Sequence, residues 1–140
     1  MGEPGEDFRQ FLLRQTEAEA AFVQGDPEPR MALWSRRDPV SLLGAFGMYE
    51  SGWDRLSQTF IKVAATFSSV SEFRYEIEVA DVLGDMAYTV GYERFKGSIS
   101  GRPMQDVTVR VTHAYRREDG EWKIVHRHGD SASLSPEFDD

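Results

Sequence analysis

Hydrophobic positions in the first half of the chain recur at helical spacing. Phe8, Phe11, Leu12, Ala18, Ala21 and Phe22, with Gln15 among them, fall on one stripe of a 3.6-residue period. The stripe predicts a helix that Asp7 caps and Gly25 ends. Asp26-Pro27-Glu28-Pro29 starts a short second helix through Met31, Leu33 and Trp34. That helix cannot run through Asp38-Pro39, because a residue before proline avoids the α region. Val40 to Leu43 has the character of a short strand, and Gly44 to Gly52 that of a glycine-bearing loop. A third helix is predicted from Ser51 to about Phe67, with Trp53, Leu56, Phe60, Val63, Ala64 and Phe67 on one face.

The second half alternates instead. Phe73–Val82, Met86–Lys96, Gln105–Arg117 and Glu121–Asp130 are predicted strands, joined by turns at Leu83-Gly84-Asp85, Ser98–Pro103 and Glu118-Asp119-Gly120. Helices followed by a meander imply an α+β domain whose antiparallel sheet is covered on one face. Strands near ten residues exceed the usual five or six and stay compact only by twisting and curling. A curled sheet closed at one end by helices is a cone with a hollow at the other end, where small-molecule sites form. One domain over residues 7–130 is expected, between a disordered tail (residues 1–6) and an acidic tail (residues 131–140).

Charge narrows the partners. The 140-residue chain has a formal net charge of −8, and its adjacent basic pairs, Arg36-Arg37 and Arg116-Arg117, have acidic neighbours. Nucleic-acid binding is not expected, since a phosphate binder clusters Lys and Arg. The chain has no cysteine, which removes thiolate metal sites, disulfides and a cysteine nucleophile. The polar, acidic N-terminus lacks a signal peptide's basic and apolar regions, and no apolar run approaches membrane-spanning length. A cytoplasmic protein with no membrane contact and no cofactor is expected.

Candidate chemistry depends on the register of the last hairpin. A three-residue Glu118-Asp119-Gly120 loop pairs His113 with Val125 and puts Val109, Val111, His113, Tyr115, Val125 and Arg127 on one face. Arg110, Thr112, Trp122, Ile124, His126 and His128 then occupy the other. A two-residue Asp119-Gly120 turn would instead set His113 beside His126 and His128, because a one-residue slip flips a strand. The three-residue loop is preferred, as it gives one largely apolar face interrupted by His113 and Arg127. His113 is the leading candidate for acid/base work; the alternative is a buried histidine satisfied by Tyr115 or a backbone carbonyl. Asp38 is a candidate base, or simply an Asp-Pro turn. Tyr88, Tyr92 and Arg94 share one strand face, as pocket donors or as core aromatics with a surface arginine. Trp34 and Trp53 lie on the helices that cover the cone. His126 and His128 have a spacing that metals use, but no third ligand joins them in this register, so no metal is expected.

The segment Asp119-Gly120-Glu121-Trp122-Lys123-Ile124-Val125-His126-Arg127-His128, with Arg110 to Arg117 before it, resembles the C-terminal hairpin of SnoaL-like proteins of the nuclear-transport-factor-2-like (NTF2-like) superfamily. It is also similar to the association domain of calcium/calmodulin-dependent kinases. Trp34-Ser35-Arg36-Arg37-Asp38-Pro39 and the strand Gly84 to Arg94 look similar too, and the helix order matches over residues 8–130. The resemblance implies the cone fold, a pocket position for His113 and Arg94, and a place for Asp38 at the cavity mouth. It implies a small apolar or carbonyl-bearing ligand bound by Trp34, Trp53, Tyr88, Tyr92, Arg94, Tyr115 and Arg127. The functions it implies are ligand binding, an isomerase, cyclase or dehydratase that abstracts a proton next to a carbonyl through His113 or Asp38, or a non-catalytic assembly module. The expected outer face, with Trp122, Ile124, Ala114 and Thr112 among Arg110, Arg116, His126 and His128, has the mixed character of an interface and predicts a homodimer anchored by Trp122; the resemblance points the same way.

Overall fold

The computed structural model describes residues 4–131. Three helices precede four long strands, as the change of period requires. They are α1 (Pro4–Val23), α2 (Glu28–Ala32) and α3 (Trp53–Ala64), with β1 (Ser41–Leu43) and β2 (Tyr49–Ser51) before α3. The long strands are β3 (Phe67–Leu83), β4 (Met86–Ile99), β5 (Gln105–Glu118) and β6 (Glu121–Ser131). Helix α1 already includes Pro4 to Glu6, which the sequence reading gave to the tail. The rest of the two expected tails lies outside the described residues, apart from Ser131, which ends β6.

The six strands form one mostly antiparallel sheet in the order β2-β1-β6-β5-β4-β3. Strand β1 lies parallel to β6, with Leu42 opposite Arg127, and β2 pairs with β1. Tyr49–Ser51, expected as loop, is therefore the sheet's outermost strand. The helices cover the concave face. Phe8, Phe11, Phe22, Leu56 and Phe60 are buried there against Tyr115, Trp122 and Ile124. No helix among the described residues is long and apolar enough to cross a membrane.

The curl of the sheet is written in small residues. The concave side of β4 carries Ala87, Thr89, Gly91, Glu93, Phe95 and Gly97, all buried. A Cβ at Gly91 would come within 2.1 Å of the Glu76 carbonyl oxygen, and one at Gly97 within 2.7 Å of Val70. Strand β3 is also broken by register shifts at Ser68/Ser71, Ser71/Arg74 and Ile77/Val79. Bulges and close-approach glycines let long strands bend inward and narrow the cone.

Candidate functional site

The last hairpin decides which side chains enter the cone. Asp119 (φ 52°) and Gly120 (φ 82°) form a two-residue turn, with Glu118 opposite Glu121 and Arg117 opposite Trp122. Left-handed backbone at both central positions is the turn type that matches strand twist. The three-residue loop is therefore corrected. The register then shifts between Tyr115↔Ile124 and Ala114↔His126, so one residue of β6, Val125, is extra. This bulge flips the alternation of β6 midway. Trp122 and Ile124 point inward before it, and Arg127 and Gly129 point inward after it. His113 thus faces Arg127 inside the cone, as expected, although it pairs with Arg127 and not with Val125. Trp122 and Ile124, expected on the outer face, are 4% and 0% exposed in the core.

Inside the cone a polar network runs through the core. The Arg127 guanidinium donates from Nη1 and Nη2 to the two Glu93 oxygens, each at 2.7 Å. Arg127 Nη1 also lies 3.2 Å from His113 Nε2. Because a guanidinium only donates, Nε2 accepts and the histidine proton sits on Nδ1. Nδ1 then donates to the Tyr75 hydroxyl at 3.2 Å. On the other side Arg30 Nε donates to Glu19 Oε1 at 2.7 Å, and the second Glu19 oxygen lies 4.0 Å from Arg127 and 3.9 Å from His113. Tyr115 donates to Gln15 Oε1 at 2.7 Å and meets Thr89 Oγ1 at 2.9 Å.

Burial sets the protonation states. Desolvation first, and then the Arg127 and Arg30 charges, push His113 well below the ordinary 6.5, so it is neutral. Burial opposes the Glu93 charge, but the Arg127 charge and its hydrogen bonds outweigh it and hold Glu93 below the usual carboxylate range. Burial opposes the Arg127 charge as well, and Glu93 outweighs it there, which raises the guanidinium pKa. Burial also pushes the Tyr75 and Tyr115 hydroxyls up, so both remain neutral.

A cavity of about 520 Å³ opens beside this network. Its walls include the apolar Phe22, Phe60, Phe67, Phe95, Val107 and Val109 and the polar Gln105, Thr108 and Ser131. Arg30, Glu93 and Arg127 contribute its buried polar floor. Ala45, Phe46 and Met48 from the β1–β2 loop stand with Arg102 and Asp106 among its other lining residues.

Of the residues expected at the site, only Arg127 lines this cavity. His113 sits behind it within the network, and Tyr115 lies deeper, against Phe8 and Phe11. Trp34 is a core residue packed on Phe60, and Trp53 is half-buried beneath the Arg36 guanidinium. Asp38 is exposed, and no hydrogen bond or ion pair joins it to His113 among the described residues. Tyr88, Tyr92 and Arg94 lie on the convex face, where Arg94 bonds Glu76 at 2.8 Å and stacks over Tyr92. The reason is the alternation of β4, which cannot present Tyr92 and Glu93 to the same side. His126 is held by Ser41 at 2.8 Å and His128 is exposed, both away from the network.

Sequence reasoning missed Glu19, Arg30, Tyr75, Thr89 and Glu93 as network members. A signal existed for two of them. Glu19 falls on the apolar stripe of α1, three residues before Phe22, and Glu93 alternates with Gly91 and Phe95. Glu19, Glu93 and His113 offer ligand atoms within 4.8 Å of one another. Both Glu93 oxygens already hold Arg127, and a dication would add charge to two carboxylates already matched by two guanidiniums.

Comparison with known proteins places this geometry in a family. No curated protein matches the chain. A protein of the NTF2-like family from Streptomyces avermitilis, proposed to be a dehydratase, superposes with a TM-score of 0.77 at 21% identity, over 94% of this chain and all of that one (100%). A ketosteroid isomerase-like protein from Erwinia carotovora atroseptica gives 0.77 at 16% identity, over 96% and 100% of the two chains. A proposed calcium/calmodulin-dependent kinase II association domain from Exiguobacterium sibiricum gives 0.71 at 19% identity, also over 96% and 100%. At these identities the likeness shows the cone fold alone. The SnoaL-like domain model matches residues 15–132, from the buried Gln15 to one residue past β6, and the chain belongs to the SnoaL-like family.

Proposed function

We propose that this domain binds a small, largely apolar molecule in the cone, with a hydrogen-bond acceptor of the ligand against the Arg30–Glu93–Arg127 floor. The observation that carries this reading is a cavity of about 520 Å³ that combines aromatic and aliphatic walls with a buried polar floor, its other polar lining residues including the exposed Arg102, Gln105 and Asp106. Such a volume, with apolar walls and a few buried polar groups at one end, suits a small-molecule site. The same geometry argues for binding over proton abstraction. Both His113 nitrogens are engaged, and His113 does not line the cavity. Glu93 does line it, so it is the buried carboxylate that an isomerase- or dehydratase-type reaction would use in place of Asp38, the other lining carboxylate, Asp106, being exposed. Its two hydrogen bonds to Arg127 make it a weak base.

The test is extraction of the purified protein followed by mass spectrometry, and then thermal-shift titration with aromatic alcohols, ketones and acids. Expected are a stabilising ligand and its loss in Val107→Trp, which fills the cavity. An unliganded protein whose melting temperature no member of the panel raises would refute the reading.

A further inference from the structure

The charged residues that line the cavity or back it are balanced. At the floor Arg127 is matched by Glu93, and Arg30 is matched by Glu19. The other charged lining residues, Arg102 and Asp106, are exposed and opposite in sign. The floor also has hydrogen-bonding capacity left over. Arg30 is 4% exposed and uses Nε and Nη2 on Glu19, while its Nη1 donates to no group among the described residues. The Arg30 guanidinium is fixed by its stack 3.4 Å over the Phe22 ring, itself a cavity wall. Arg127 spends Nη1 and Nη2 on Glu93 and His113, so only its Nε, the edge nearest the chain, donates to no group among the described residues.

We infer that the cavity selects an uncharged oxygen acceptor, such as a ketone, aldehyde or ester, over the carboxylate of the same skeleton, and that Arg30 is the specificity-determining donor that meets it. This rests on the binding role proposed above. A neutral oxygen satisfies the Arg30 Nη1 edge without changing the charge of the floor. A carboxylate in the same place would leave one buried negative charge uncompensated, which is far costlier than an unmet dipole. His113 cannot supply the missing cation, since it is neutral and its Nε2 already accepts from Arg127. The anions at the floor therefore act as a charge filter. Removing one of them should invert the preference.

The experiment is calorimetric titration of the purified chain at about pH 8 with a matched pair of probes, 2-acetylnaphthalene and 2-naphthoate. The wild-type protein is expected to bind the ketone about tenfold or more tightly than the acid. Glu93→Gln keeps the side-chain volume and leaves one guanidinium in excess. It is expected to raise the affinity for naphthoate about tenfold or more and so to lower the ketone-to-acid ratio. Glu19→Gln provides the same test if Glu93→Gln does not fold. Arg30→Met should weaken the ketone about tenfold, the scale of a hydrogen bond from a charged donor. Equal or tighter binding of naphthoate by the wild type, or a ketone-to-acid ratio that neither Gln variant changes, would overturn the inference while leaving the binding role intact. Failure of the wild type to bind either probe would overturn the inference, and together with a panel that raises no melting temperature it would overturn the binding role as well.

Discussion

Replacing Arg127 by methionine isolates the energetics of the polar core. The variant removes two 2.7 Å charge-assisted bonds to Glu93 and the contact with His113, and it leaves Glu93 only 3% exposed. Breaking a buried pair from one side costs about 3–5 kcal/mol, because the remaining charge is neither solvated nor paired. Against a total stability of about 5–15 kcal/mol for a domain, this is a large fraction. Replacing both partners, as in Arg127→Met with Glu93→Leu, removes the stranded charge and should return stability to within about 1–2 kcal/mol of wild type. Urea unfolding followed by tryptophan fluorescence measures all three proteins. The pH dependence provides a second check. In the wild type Glu93 is held below its ordinary 4.5, so its contribution is present above that value and lost as pH falls through the folded pKa. Without Arg127, burial should raise the Glu93 pKa instead. The single variant should then gain on the double variant as pH falls, because its folded state binds the extra proton. A single variant costing under about 1 kcal/mol, or a double variant no more stable than the single, would refute this account of the pair.

Three further expectations follow from the same structure. Trp122→Ala should cost about 3–5 kcal/mol in urea unfolding, because Trp122 is 4% exposed and meets the Phe8 ring at 5.2 Å; a near-neutral effect would mean that the β6 bulge is misplaced. His113 is pushed well below 6.5, so an unfolded chain takes up a proton that the folded one refuses, and stability should fall as pH drops below 6.5. His113→Gln should remove up to ~1.4 kcal/mol per pH unit of that slope, and an unchanged slope would place the titration elsewhere. We keep the homodimer as a proposal, now carried by Met86, Tyr88 and Val90, which are 45%, 39% and 39% exposed on the convex face, and not by Trp122. Sedimentation equilibrium of the wild type and Tyr88→Glu should show a dimer that the charge weakens, and a wild-type monomer would end the proposal.

The order of elements and the class of fold were legible in the chain itself. A 3.6-residue stripe in the first half and alternation in the second depend only on local geometry, and strand length alone demanded a curled sheet. His113 and Arg127 were placed inside by their apolar companions. Three matters were decided only by tertiary structure. The face of β4 was one, because the concave side of a tightly curled sheet selects Gly91 and Gly97 for space, while the convex side carries the larger Tyr88, Val90 and Tyr92. By hydrophobicity alone the wrong face looks like the core. The hairpin was another: a two-residue turn and a one-residue bulge have opposite effects on alternation, so two departures from regular pairing left His113 and Arg127 inside and brought Trp122 in with them. The buried charges were the last. Local pattern can put Glu19 and Glu93 on inward faces, but Arg30 and Arg127, which neutralise them, come from α2 and β6, and no local pattern encodes a pairing that only the closed cone creates.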